Sequence, residues 1–174
     1  ALVVSSASAG FTNVRATPIS KSEPAMARPP VRRAFLLAAG LGTRLHPHTA
    51  LCPKPLLPVA GRPLIEHVMD RCLAADIGEF LVNTHHLPEV FENHFAENRY
   101  RGAPVTLVHE AERLETGGGY KNIEALAGDE PLLVHNADIL SDIRLRDLLD
   151  SFGTSKAETL LAVRRNGPQR HVRT

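Results

Sequence analysis

Gly40, Gly42, Thr43 and Arg44, followed by a lysine held between prolines in Pro53-Lys54-Pro55, are residue types suited to gripping a polyphosphate. Glycines leave room for the backbone to turn and to approach a ligand, and exposed main-chain N–H groups in such a loop form an anion-binding concavity. Arg44 adds a planar fork of donors and Lys54 a compact positive charge. The flanking prolines restrict the chain, so the ammonium is presented from a stiff segment that loses little entropy on binding. Two better-known phosphate loops do not fit. The dinucleotide fingerprint needs a third glycine where Leu45 stands, and no Gly-Lys-Ser/Thr follows Gly40 or Gly42. The spacing is equally compatible with another kind of phosphate loop and with a plain strand-to-loop turn.

Asp138 follows the apolar run Leu132-Leu133-Val134. A carboxylate at a strand end suits Mg²⁺, which takes one or two protein carboxylates and completes its shell with water and phosphates. From the residues alone, a turn cap before Ile139 is the favoured reading. Thr116-Gly117-Gly118-Gly119 is either a flexible loop or a place where the main chain lies flat against a planar base. The histidines carry no metal pattern. His85 and His86 are adjacent, and His46 and His48 lie in a Pro-containing loop, so they read as loop or surface residues.

The elements that must position these groups alternate between strand and helix. Val31 to Ala39 reads as a buried strand. Leu64, Ile65, Val68, Met69, Cys72 and Leu73 recur at helical spacing. Strands are expected over residues 79–83, 104–109, 131–135 and 158–163, and helices over 88–98, 119–127 and 144–152. That alternation predicts βαβ units and a mostly parallel α/β sheet covered on both faces. Ligands in such sheets bind beyond the carboxyl ends of the strands, where Gly40, Asn83, Glu110 and Asp138 fall.

The chain has 174 residues, 43% of them hydrophobic, enough for one domain with a proper core. A formal net charge of +1 offers no field for nucleic acid or an anionic membrane, and no apolar run is long enough to span a bilayer. Cys52 and Cys72 are scattered, which fits a reducing, cytoplasmic setting better than a disulfide framework. Residues 1–30 are rich in Ala, Ser and Pro and are expected to be disordered. They read as sequence upstream of Met26, with an acidic-poor targeting segment as the second reading.

The run Leu37-Ala38-Ala39-Gly40-x-Gly42-Thr43-Arg44-Leu45-x-Pro47-x-Thr49, then Pro53-Lys54-Pro55-Leu56-x-Pro58-Val59-x-Gly61-x-Pro63-Leu64-Ile65, resembles the sugar-1-phosphate nucleotidyltransferases. The resemblance continues through Val82-Asn83-x-His85-His86, Leu114-Glu115-Thr116-Gly117-Gly118-Gly119 and Leu133-Val134-His135-Asn136-Ala137-Asp138, and covers Val31 to about Arg165. The Glu-Thr-Gly-Gly-Gly form is most similar to the branch holding N-acetylmuramate 1-phosphate uridylyltransferases and mannose-1-phosphate guanylyltransferase-like relatives. Tyr120 stands where that branch has Ile.

The resemblance implies a Rossmann-like sheet of the GT-A type over residues 31–174. The partners it implies are a nucleoside triphosphate, UTP before GTP, and a sugar 1-phosphate, with Mg²⁺ on Asp138. Ala39, Gly40, Gly42, Thr43, Arg44, Lys54, Asn83, Thr116, Gly117 and Gly118 would hold the nucleotide, and Asn136 the substrate. Arg44, Lys54 and Asp138 would act directly on the phosphates. Relatives continue well past Thr174, so the sugar half is expected to be incomplete. A cytidylyltransferase for phosphocholine or a similar alcohol phosphate, and a non-catalytic nucleotide-binding module, are the alternatives.

Overall fold

A computed structural model describes residues 2–4 and 30–162. In chain order the elements are β1 (Leu2–Val4), β2 (Arg33–Leu37), β3 (Pro58–Val59), β4 (Arg62–Pro63), α1 (Leu64–Leu73), β5 (Glu79–Thr84), α2 (Pro88–His94), β6 (Arg99–Tyr100), β7 (Ala103–His109), α3 (Glu115–Asn122), α4 (Glu124–Ala127), β8 (Leu132–Asn136), α5 (Leu145–Thr154) and β9 (Leu160–Ala162). Short 3-10 turns at Thr43–Leu45, His48–Ala50 and Lys54–Leu56 fill the segment after β2.

One sheet runs β6-β7-β5-β2-β8-β1-β9. Every pairing is parallel except β6 with β7. The α/β class and the parallel sheet expected from the alternation are therefore present. Along β2, β5, β7 and β8 side chains alternate and sort into two layers. Ala34, Leu36, Phe80, Val82, Val105 and Leu133 face a core shared with Ile65, Val68, Met69 and Cys72 of α1, Phe91 of α2 and Leu148 and Phe152 of α5. Phe35, Leu81, Leu132 and Val134 point the other way and pack on Ile123 and Ala127 beside α3 and α4. Burial on both faces explains why the strands read as continuous apolar runs.

The α1 stripe follows the amphipathic pattern: Ile65, Val68, Met69 and Cys72 are buried and lie three or four residues apart. Asp76, at φ 63°, closes the turn beyond the helix in the left-handed conformation, with the Ile77 N–H reaching back to the Cys72 carbonyl at 3.0 Å.

Four expectations shift. Leu2–Val4 lies within the segment expected to be disordered, yet it forms β1 between β8 and β9; residues 1 and 5–29 lie outside the described set. The helix expected over residues 88–98 stops at His94, because Asn98 at φ 53° turns the chain into β6. The helix expected from Gly119 begins at Glu115. Position 163 of the last expected strand, like the rest of the C-terminal segment, lies outside the described residues. Cys52 and Cys72 are both free thiols. Among the described residues no helix is long and apolar enough to cross a membrane.

Candidate active site

The carboxyl ends of β2, β5, β7 and β8 share one rim because the strands are parallel. A cavity of about 890 Å³ opens there. Ala39, Gly40, Gly42, Thr43, Arg44, Lys54, Asn83, Thr116, Asn136 and Asp138 all line it. Gly117 and Gly118 belong to the first turns of α3 and lie just outside that lining.

Gly42 makes the turn after β2, at φ 64°. A Cβ there would come within 2.8 Å of Thr49 Cγ2 and 3.2 Å of Lys54 Cβ. Gly40 has no such constraint: a Cβ would meet nothing within 4 Å. Thr49 is fully buried beneath the loop, and its hydroxyl donates to the Gly42 carbonyl at 3.0 Å. His86 Nε2 donates in turn to the Thr49 carbonyl at 2.7 Å, so this histidine braces the loop. The N–H groups of Ala39, Gly40, Leu41 and Gly42 make no hydrogen bond among the described residues. They form an open row of donors on the cavity wall.

Lys54 rises from a 3-10 turn anchored by the buried Pro55 and Leu56. Its Nζ meets Asp138 Oδ2 at 2.6 Å. Arg44, on the same cavity lining, is exposed and makes no hydrogen bond or ion pair among the described residues. The loop carrying Asp138 is held from beneath by Arg71 of α1, which donates to Ser141 Oγ at 2.8 Å and to the Ile143 carbonyl. Burial holds the Arg71 guanidinium below its ordinary pKa. His135, 1% exposed beside this loop, is pushed down in pKa chiefly by burial, and its Nδ1 donates to the Asn136 carbonyl at 2.7 Å.

Two charged lining residues escaped the candidate set read from the sequence. Arg113 adds a third cation to the cavity. Glu110 is 2% exposed, and both of its carboxylate oxygens are engaged: Oε1 accepts from Asn83 Nδ2 at 2.7 Å and Oε2 from the Leu114 N–H at 3.1 Å. Asn83 Oδ1 accepts from the Ala38 N–H at 2.6 Å. Asn83, expected to touch nucleotide, lines the cavity and also braces its walls through this amide. The position of Glu110 at a strand end was the only sequence signal for it.

The family model described as nucleotidyl transferase matches residues 33–171. The mannose-1-phosphate guanylyltransferase of Mycobacterium tuberculosis is 37% identical over 137 residues, covering 79% of this chain and 38% of the relative. The N-acetylmuramate alpha-1-phosphate uridylyltransferase of Caulobacter vibrioides is 44% identical over 108 residues, covering 60% of this chain and 45% of the relative. Among solved structures, a UDP-glucose pyrophosphorylase complexed with UDP-glucose superposes with a TM-score of 0.60 at 25% identity, covering 70% of this chain and 53% of that one. The chain spans about half or less of the length of these relatives.

Proposed function

The chain belongs to the nucleotidyl transferase family, and from that premise we propose that its cavity joins a nucleoside triphosphate to a sugar 1-phosphate, releasing pyrophosphate and forming a nucleoside-diphosphate sugar. UTP is the first candidate nucleotide and GTP the second, following the two kinds of relative above. The observation that carries the reading is the convergence of Arg44, Lys54, Asp138 and the open N–H row of residues 39–42 on one cavity rim.

A phosphate oxygen of the sugar 1-phosphate attacks the α-phosphorus in line with the departing pyrophosphate. A phosphomonoester has its second pKa near ~6, so at neutral pH the nucleophile is already largely dianionic and no side-chain base is required. The work left to the protein is alignment and charge neutralisation. Arg44 and the N–H groups of residues 39–42 take the triphosphate. Lys54 neutralises the phosphate at the reacting centre. Thr116 and Asn136 line the wall where base, ribose or sugar would sit.

Asp138 is the residue that would hold Mg²⁺. Mg²⁺ takes one or two protein carboxylates and completes its shell with water and phosphates, a role the Asp138 side chain on the cavity rim would fit. Bound there, the ion supplies charge stabilisation to the phosphates. A panel of UTP, GTP, CTP and ATP against several sugar 1-phosphates and phosphocholine, scored by pyrophosphate release with and without Mg²⁺, tests the reading. Release with phosphocholine alone would move the substrate class. Nucleotide binding without release from any pair would leave a binding module.

A further inference from the structure

Three hydrogen bonds run in series across the floor of the cavity. The Ala38 N–H donates to Asn83 Oδ1 at 2.6 Å, Asn83 Nδ2 donates to Glu110 Oε1 at 2.7 Å, and the Leu114 N–H donates to Glu110 Oε2 at 3.1 Å. Asn83 and Glu110 are 3% and 2% exposed, so water does not substitute for a lost partner. Helix α3 presses its backbone onto the pair: a Cβ on Gly119 would lie 2.8 Å from Glu110 Oε1 and 3.0 Å from Asn83 Nδ2.

The direction of every bond is forced. A backbone N–H stands at each end, so each end needs an acceptor. Asn83 must turn its oxygen to Ala38, which leaves its NH₂ facing position 110. Residue 110 must then accept on both sides, which only a carboxylate does. We propose that Asn83 and Glu110 are positioning residues that set the gap between the two walls of the nucleotide site, the Ala38–Thr43 loop and the segment carrying Arg113 and Thr116. The pair acts through the walls rather than on the ligand, and its consequence for nucleotide rests on the function proposed above.

The polarity can be inverted as a test. Glu110→Gln leaves one donor facing another however the amides flip, at the Asn83–Gln contact, at the Leu114 N–H or, with Asn83 flipped, at the Ala38 N–H. Asn83→Asp sets two carboxylates face to face, a contact mended only by a shared proton. The double variant Asn83→Asp with Glu110→Gln restores the series. The new carboxylate at position 83 accepts from the Ala38 N–H and from the new amide at position 110, whose own oxygen accepts from the Leu114 N–H.

Two readouts on the purified chain separate the claim from the function beneath it. Amide hydrogen exchange at Ala38 and Leu114 should accelerate at least ~10-fold in each single variant and return to within about threefold of the parent in the double variant. Calorimetric titration with UTP or GTP and Mg²⁺ should follow the same pattern, and Asn83→Asp alone should regain affinity as the pH falls. If the single variants do not fold, recovery of folding in the double variant is the expected result. Additive losses in the double variant, or protection regained without nucleotide affinity in a parent that binds, would overturn the proposal. A parent chain that binds no nucleotide sinks the proposed function, and the exchange readout still decides the coupling.

Discussion

Lys54 Nζ lies 2.6 Å from Asp138 Oδ2, so the ammonium and the carboxylate assigned to phosphate and metal neutralise each other before any ligand arrives. The side chains are 31% and 26% exposed, which keeps the pair close to the surface class of ion pairs, worth about 1 kcal/mol or less. Such a contact opens at little cost. It therefore serves to hold both groups in place without blocking them.

Removing the lysine should free the carboxylate for a cation. Lys54→Ala is expected to bind Mn²⁺ alone several-fold more tightly than the parent, the order set by losing one nearby positive charge in a partly solvated site. Asp138→Asn should abolish that binding. Electron paramagnetic resonance of free Mn²⁺ measures both, and an unchanged affinity in Asp138→Asn would remove Asp138 as the anchor.

Turnover should respond in the opposite sense. Lys54→Ala and Asp138→Asn are each expected to lower the rate of pyrophosphate release at least ~100-fold, the scale of losing one transition-state charge contact. Near-parental turnover in either variant takes that residue out of the mechanism.

The glycine loop separates strain from space. Gly42→Ala forces a side chain into the left-handed region, at φ 64°, and against Thr49 Cγ2 at 2.8 Å. It should destabilise the fold by about 1–3 kcal/mol. Gly40→Ala, with nothing within 4 Å of its Cβ, should stay within about 0.5 kcal/mol of the parent. Urea unfolding of both variants checks the contrast.

Asp70 ties three residues from two other segments of chain to α1. It accepts from Arg62 Nη1 at 2.7 Å and Tyr100 Oη at 2.8 Å, with Arg101 Nε at 3.0 Å. Burial raises its pKa, but the hydrogen bonds from Arg62 and Tyr100 and the charges of Arg101 and Arg62 together outweigh burial and hold it below its ordinary value of 3.8. A depressed carboxylate contributes stability that is complete above the unfolded value and lost as the pH falls through the folded one. Asp70→Asn should therefore lower Tm by a few degrees at neutral pH, and the difference from the parent should close as the pH drops below about 3.8. Thermal scans across that range give the answer, and a constant offset would contradict it.

The strands and α1 were legible because burial on both sheet faces writes uninterrupted apolar runs, as in Leu132-Leu133-Val134, and because Ile65, Val68, Met69 and Cys72 keep one helical stripe. The site's rim was legible for the same reason, since parallel strands bring their ends together. What escaped has local causes. β3 and β4 are two residues each, closed by Ala60 and Gly61 at φ 50° and 79°, too short for any alternation to register. The start of α3 was hidden by Gly117, Gly118 and Gly119, which cost helix stability of about 1 kcal/mol each. Tertiary contact overrides that preference, because Gly119 packs on the Asn83–Glu110 pair where no side chain fits. β1 was invisible because pairing with β8 and β9, rather than local composition, makes Leu2–Val4 a strand. Asn83 was read from its position on the rim, and it does line the cavity; its second role, linking the Ala38 N–H to Glu110 through its amide, is visible only in coordinates.

A crystal structure of the chain with a non-hydrolysable UTP or GTP analogue and Mn²⁺ measures the central claim directly. The account predicts the triphosphate lying on the backbone of residues 39–42 with Arg44 and Lys54 on its oxygens, and an anomalous Mn²⁺ peak at about 2.0–2.2 Å from an Asp138 carboxylate oxygen. A nucleotide seated elsewhere, or a metal peak away from Asp138 with Lys54 still closed on it, would contradict the account.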